Sequence, residues 1–220
     1  MKNQQRQARQ KTTNMKQRVC AHKKIGLKTA ASNVQKQFFR SVVLKEPLVK
    51  TIHLGEGQHK KLILNLQRVS GEISLKVELD KRASFEAFLL IELAKDDKLD
   101  FAYAVRHKGE ESKSKLKALS ILKGYAEKKS TFKMEFEEGA KDAIGSEEET
   151  VLALGKEAQN LTIPGIVSKE NTAKAKHAFY AGYIAQEQIN FLTGIGMEVP
   201  AAKRLLIKSK KDAFKQYFQD

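Results

Sequence analysis

The stretch GEISLKVELD (residues 71–80) alternates apolar and polar residues with a period of two. Its apolar members are Ile73, Leu75, Val77 and Leu79. Successive side chains of an extended strand point to opposite faces, so this pattern predicts a strand with one buried and one solvated face. The segment STFKMEFEEGA (130–140) repeats the pattern, with apolar residues separated by lysine and glutamate.

Nine segments of this kind are separated by glycines and short polar clusters. They are residues 60–67, 71–80, 83–94, 98–107, 114–122, 130–140, 149–155, 161–168 and 174–182. Their even spacing is typical of a β-sandwich, a barrel or a β-solenoid. The hairpin signals Asn-Gly and Asp-Gly do not occur between them, which favours the wide corners of a solenoid over tight hairpins.

Helical spacing replaces the strand pattern after Gly182. Residues 184–196 and 199–219 predict two C-terminal helices, which either cap the end of the β-stack or present an apolar face to a partner. A weaker helical pattern covers residues 25–44. The expected organisation is a basic, partly disordered and partly helical N-terminal arm (1–50), a β core (51–182) and a C-terminal helical pair (183–220).

Composition restricts the class of protein. The chain has 220 residues and 41% hydrophobic content, enough for one domain with a buried core. Its single cysteine, Cys20, excludes a disulfide framework and favours a reducing compartment, so we expect a cytoplasmic protein. No apolar run has the length of a membrane span, and none follows the charged N-terminus as in a secretory signal. We therefore expect no membrane association.

The net charge of +15 is concentrated at the N-terminus. Residues 1–50 carry thirteen Lys/Arg and one acid, whereas the remaining 170 residues have a net charge of only +3. A nucleic-acid-binding protein usually carries its basic surface on the folded domain, whereas the basic residues of this chain are concentrated in the N-terminal segment. Three interpretations of the arm stay open: a solvated mobile segment, an organelle transit segment, or a polyanion-binding arm. The last would make the chain a nucleic-acid or ribosome-associated protein.

No local motif predicts an enzyme. The sequence contains no HExxH, Cys-x-x-Cys, GxSxG, Walker A or dinucleotide-binding fingerprint. The acidic pairs Glu137/Glu138 and the run Glu147–Glu149 are interpreted as solvated strand ends and loops. A carbohydrate-acting solenoid enzyme would need such acids to converge on one face, and the sequence alone does not place them.

The ordered set of segments from Val77 to Leu206 resembles the core domain of the SufB/SufD family, scaffold subunits of iron–sulfur cluster assembly. Residues 105–145 resemble the family's histidine, Ser/Lys-rich strand and rung ending in Gly-Ala. Residues 146–158 resemble its acidic turn and short leucine-rich strand. Residues 161–207 resemble its proline-containing strand, its histidine strand and its two C-terminal helices.

The resemblance implies a right-handed parallel β-helix closed by two C-terminal helices. It further implies that the helices dock an ABC-type, SufC-like ATPase, and that the β-helix pairs edge to edge with a second SufB/SufD-like subunit or a second copy of itself. A transient iron–sulfur cluster is then assembled at the pairing interface. The apolar residues that become candidate ATPase contacts are Phe191, Leu192, Leu205 and Leu206.

His177 matches the family histidine on the last strand, so the resemblance makes it the candidate iron ligand. Neutral imidazole is a suitable ligand for iron. By alternation His177 shares a strand face with Ala175 and Phe179, and a packed structural histidine is an equally open interpretation. The matching region contains no cysteine, whereas a SufB-type subunit is expected to supply a thiolate. The chain therefore resembles either a SufD-type partner of a cysteine-bearing subunit or a diverged relative that has lost the chemistry. It is shorter than typical members and is expected to be a non-enzymatic scaffold.

Overall fold

The computed structural model describes residues 33–154 and 157–219. This part of the chain forms ten β-strands, followed by two α-helices and a short 3-10 turn. The strands are β1 (Val34–Val43), β2 (Leu48–Leu54), β3 (His59–Leu79), β4 (Ser84–Leu93), β5 (Lys98–His107), β6 (Lys113–Lys123), β7 (Glu127–Phe136), β8 (Ile144–Leu154), β9 (Gln159–Ser168) and β10 (Lys174–Gly182). The helices are α1 (Gln186–Gly194) and α2 (Val199–Lys215), and the 3-10 turn spans Gln216–Phe218.

The chain alternates between two sheets as it proceeds. The first sheet contains β1, the first half of β3, β4, β6, β8 and β10; the second contains β2, the second half of β3, β5, β7 and β9. Each strand pairs in parallel with the strand one turn later, so that β4 pairs with β6 and β5 with β7. The result is a parallel β-solenoid of about five turns, which confirms the predicted fold class.

The space between the two sheets, called the lumen below, holds the main hydrophobic core. Alternate residues of every strand point into it, so each inward side chain stacks on its register partner in the next turn. Leu75, Tyr103 and Phe132 form one such column of the second sheet, and all three are buried. Phe101 meets Phe132 edge to face, with ring centroids 6.4 Å apart.

The longest strand, β3, crosses from the first sheet to the second without a loop. Arg68 (φ 54°) and Gly71 (φ 119°) have the left-handed backbone that makes this corner. A side chain at position 71 would lie 2.9 Å from the carbonyl oxygen of Leu44, so the corner requires glycine. The Arg68 guanidinium donates to both carboxylate oxygens of Asp97 at 2.5 and 3.1 Å, which ties this corner to the corner one turn later.

The second helix covers the outer face of the first sheet. Tyr217 in the 3-10 turn stacks on Phe88 of β4, with ring centroids 5.1 Å apart, and Lys211 bonds to Glu92 at 2.7 and 2.9 Å. Beside them a separate apolar cluster joins the sheet to the helical segment; its members are Leu90, Leu119, Ile121, Leu152, Leu154, Ile207, Phe214 and Phe218. The second helix and the 3-10 turn thus pack against the side of the stack, whereas capping of its end was one of the two expectations for the helices. Neither described helix has the length and apolar content needed to cross a membrane.

The helix expected over residues 25–44 is wrong where the structure describes that segment. Residues 34–43 form β1 instead, so the solenoid begins inside the segment predicted as the arm. The cause is tertiary: Phe39 pairs with Leu66 of β3 and is buried against it, and this pairing outweighs a weak local helical pattern. Residues 1–32, with Cys20, lie outside the described residues.

Candidate functional site

His177 on β10 points into the lumen. One column of the first sheet runs through six strands, and its register partners are Gln35, Leu62, Ala87, Leu116, Glu147 and His177. Gln35 is partly buried and the next four residues are buried, while the side chain of His177 is 17% exposed because β10 is the last strand of its sheet. From Leu62 onward this column therefore changes from apolar to polar in its last two turns, and His177 is the partly exposed residue at its end.

Glu147 and His177 form a buried pair at this end of the lumen. The distance from His177 Nδ1 to Glu147 Oε2 is 3.5 Å. No described residue makes a hydrogen bond to either carboxylate oxygen of Glu147 or to either ring nitrogen of His177. Burial raises the pKa of Glu147 to about 7, because the charged carboxylate is unfavourable in a dry environment.

Tyr103, on the second sheet, contributes a third polar group to the same interior. Its hydroxyl is buried and has no hydrogen-bonding partner among the described residues. Burial, with a smaller contribution from the negative charge of Glu147, raises the pKa of Tyr103 well above its usual value. The phenol therefore stays protonated.

The neighbouring acid, Glu149, has a complete set of partners. Its carboxylate lies 2.6 Å from the ammonium of Lys128, and both side chains are fully buried. It also accepts hydrogen bonds from Ser120 at 3.1 Å and Thr162 at 2.8 Å. A buried charge is tolerated when it is paired and hydrogen-bonded in this way. Glu147, two residues away, accepts no hydrogen bond from a described residue, and the basic group beside it is the imidazole of His177 at 3.5 Å.

The interpretation of Glu147 and Glu149 as solvated acids is wrong. Both are buried within β8, and only Glu148 between them faces outward. Strand β8 begins at Ile144, earlier than the predicted start at Glu149. Had the strand been extended backward, alternation would have placed both acids on the face of the buried Val151, which is the signal that the sequence contained.

The last turn also exposes apolar surface. β9 pairs only with β7 and β10 only with β8 within the described chain, so each has one unpaired edge. Exposed apolar side chains cluster on these two strands and just after them; they are Leu161, Ile163, Ile166, Val167, Phe179, Tyr180 and Tyr183. An unpaired strand edge with apolar side chains is a template for pairing with another chain.

The predicted ATPase contacts divide into two groups. Phe191 is 69% exposed and Leu205 45% exposed, so both are available to a partner. Leu192 and Leu206 are partly buried and contribute more to packing. Two further apolar side chains are exposed here: Ile195, in the turn between the helices, and Val199, at the start of α2.

The described chain is a parallel β-solenoid followed by two helices. The model of the SUF system FeS cluster assembly SufBD core domain matches residues 56–210. This match spans more than half of the chain, which therefore belongs to the SufB/SufD family and is involved in iron–sulfur cluster assembly. A comparison with curated proteins finds no match.

The unpaired Glu147 carboxylate predicts a pH-dependent effect of Glu147→Gln on stability. The folded pKa, about 7, exceeds the ordinary value of 4.5, so the native state binds more protons between these values and loses stability as pH rises through them. Glu147→Gln has no carboxyl group to ionise at this position, so its stability does not fall for this reason as the pH rises. Its unfolding free energy, relative to wild type, should rise by about 3 kcal/mol between pH 4 and pH 8.

Urea unfolding in chelator-treated buffer at several pH values measures this difference. Glu148→Gln is the matched control, because Glu148 is on the same strand and half-exposed, and its relative stability should change little over the same range. A Glu147→Gln difference that is independent of pH would contradict the burial of an unpaired carboxylate.

Proposed function

We propose that the chain is a non-enzymatic scaffold subunit of a Suf-type iron–sulfur cluster assembly complex. The observation that carries the proposal is the position of His177: an imidazole without a hydrogen-bonding partner among the described residues, at the open end of the lumen and on an unpaired strand. Membership of the SufB/SufD family supplies the process. The single cysteine favours a reducing compartment such as the cytoplasm.

The second subunit pairs along the β9 and β10 edges. Both strands offer unpaired backbone groups, and Tyr180 and Leu161 are among the exposed apolar side chains that a partner would bury. The partner is a SufB/SufD-like solenoid subunit or a second copy of this chain. Pairing along the β10 edge brings residues of the second subunit next to His177.

The nascent cluster is the cargo of this interface. Iron–sulfur clusters are held mainly by cysteine thiolates, with histidine as an alternative ligand. The matched region, residues 56–210, contains no cysteine, so this chain supplies the imidazole of His177 and a cysteine-bearing partner supplies the thiolates. Such a division of ligands fits a SufD-type role.

Replacing His177 with alanine should lower the cluster content of the assembled complex severalfold, because one iron loses its ligand on this chain. Iron and acid-labile sulfide are measured after anaerobic reconstitution. Lys176→Ala, the adjacent residue facing outward on β10, is the control and should retain wild-type content. Unchanged iron and sulfide in His177→Ala would refute the ligand assignment.

The ATPase docks on the helical pair. Phe191 and Leu205 are the exposed apolar residues among those predicted for this contact, and an apolar helix surface is a common docking element. The packing of α2 and the 3-10 turn against β4 fixes the position of Leu205 relative to the solenoid, and Phe191 lies on the preceding helix, α1.

The double variant Phe191→Ser/Leu205→Ser should lose co-purification with the ABC-type ATPase, because it removes the apolar contact while leaving the packed residues of α2 in place. A pull-down with tagged ATPase measures this. Phe38→Ser provides the matched control, since Phe38 is 66% exposed on β1 and outside the helices. Retention of the ATPase by the double variant would place its docking site elsewhere.

A further inference from the structure

The end of the lumen formed by Glu147 and His177, called the lumen mouth below, concentrates polar groups that make no hydrogen bond within the described chain. Both oxygens of Glu147 and both ring nitrogens of His177 lack hydrogen-bonding partners there. Glu147 is 1% exposed. Buried polar atoms are nearly always satisfied in folded proteins, so such a cluster indicates a ligand that the protein has been shaped to hold.

We propose that Glu147 and His177 together bind one divalent first-row transition-metal ion, such as Fe²⁺, at the lumen mouth. The inference deepens the proposed scaffold function and rests on it. It adds a second donor, Glu147, on the same chain as His177, and it makes the bound species a single ion that the chain holds before a partner contributes any ligand.

The donor chemistry supports a metal ion over an organic ligand. A carboxylate oxygen and an imidazole nitrogen form a mixed donor set that suits divalent iron and its neighbours in the first row. A bound dication would also place a permanent positive charge beside Glu147, as the Lys128 ammonium does beside Glu149, whereas the imidazole that lies 3.5 Å from Glu147 is charged only when protonated.

The spacing of the two donors agrees with a shared ion. Two atoms bound to one tetrahedral ion at about 2.0–2.2 Å lie roughly 3.4 Å from each other. Glu147 Oε2 and His177 Nδ1 are 3.5 Å apart. Register pairing between β8 and β10 sets this separation, because Glu147 and His177 are direct Cα partners in adjacent strands.

The chain supplies only part of a coordination shell. The described residues contain no group of three or more His, Cys, Asp and Glu side chains placed to hold a metal ion. The remaining positions are therefore left to water or to a partner subunit at the adjacent β10 edge. An ion with open positions at an interface is suited to being passed into a growing cluster.

Titration of the untagged full chain with Co²⁺ alone tests the proposal, because bound Co²⁺ absorbs in the visible region and reports its ligands. We expect one Co²⁺ per chain, displaced by Fe²⁺ under anaerobic conditions. Glu147→Gln and His177→Ala should each weaken Co²⁺ binding by about tenfold or more. Calorimetry gives the stoichiometry and affinity independently of the absorption.

Two controls separate the lumen mouth from other donors. Glu148→Gln changes the exposed neighbour on β8, and His53→Ala removes a surface histidine that lies 3.2 Å from Asp80; neither should affect the Co²⁺ absorption. Circular dichroism and urea unfolding check that each variant is folded. Absence of Co²⁺ binding in the wild type, or unchanged binding in both lumen variants, would overturn the proposal.

The test separates this inference from the scaffold function. If Co²⁺ does not bind the chain but His177→Ala still lowers cluster content in the complex, the ion site is wrong and the scaffold function stands. If Co²⁺ binds as expected but the reconstituted complex holds no cluster, the ion site stands and the scaffold function fails.

Discussion

The structure depends on one constraint, which is that each turn of the solenoid places its inward side chains directly on those of the turn before. Parallel pairing in register gives every column of the lumen one residue per turn, and each residue is buried by the next. The last turn has no successor. The column that begins with Gln35 and continues through Leu62 therefore ends with His177, which is covered by β8 on one side and has no strand on the other. The same break leaves the β9 and β10 edges unpaired, so the ligand candidate and the pairing surface have a common structural origin.

Two buried acids on β8, Glu147 and Glu149, have different environments within the same lumen. Glu149 is paired with Lys128 and hydrogen-bonded to two hydroxyl groups, and it behaves as a structural element of the interior. Glu147 faces His177 without a hydrogen bond to any described residue, and burial raises its pKa to about 7. A buried carboxylate without hydrogen bonds is costly, and such costs are typical of functional sites. The proposed site rests on this contrast within one strand as well as on the position of His177.

Much of the fold was predictable from sequence, because the period of two in segments such as 71–80 and 130–140 directly reflects one buried face. The family resemblance identified His177 and the helical residues. The first strand was not predictable, since residues 34–43 acquire their strand character from pairing with β3. Glu147 was missed because the predicted strand began too late, at Glu149. The pairing of Glu147 with His177 depends on the register between neighbouring turns. That register is set by the lengths of the corners as well as by the strand pattern, so the pairing was not predictable from alternation alone.

The central claim is that the lumen mouth binds a metal ion through Glu147 and His177. Anomalous diffraction from crystals of the Co²⁺-loaded chain, collected on both sides of the cobalt absorption edge, tests it most directly. The account predicts an anomalous peak about 2 Å from both a Glu147 carboxylate oxygen and a His177 ring nitrogen. An ordered lumen mouth without such a peak, with cobalt found only at surface histidines such as His53, would contradict it.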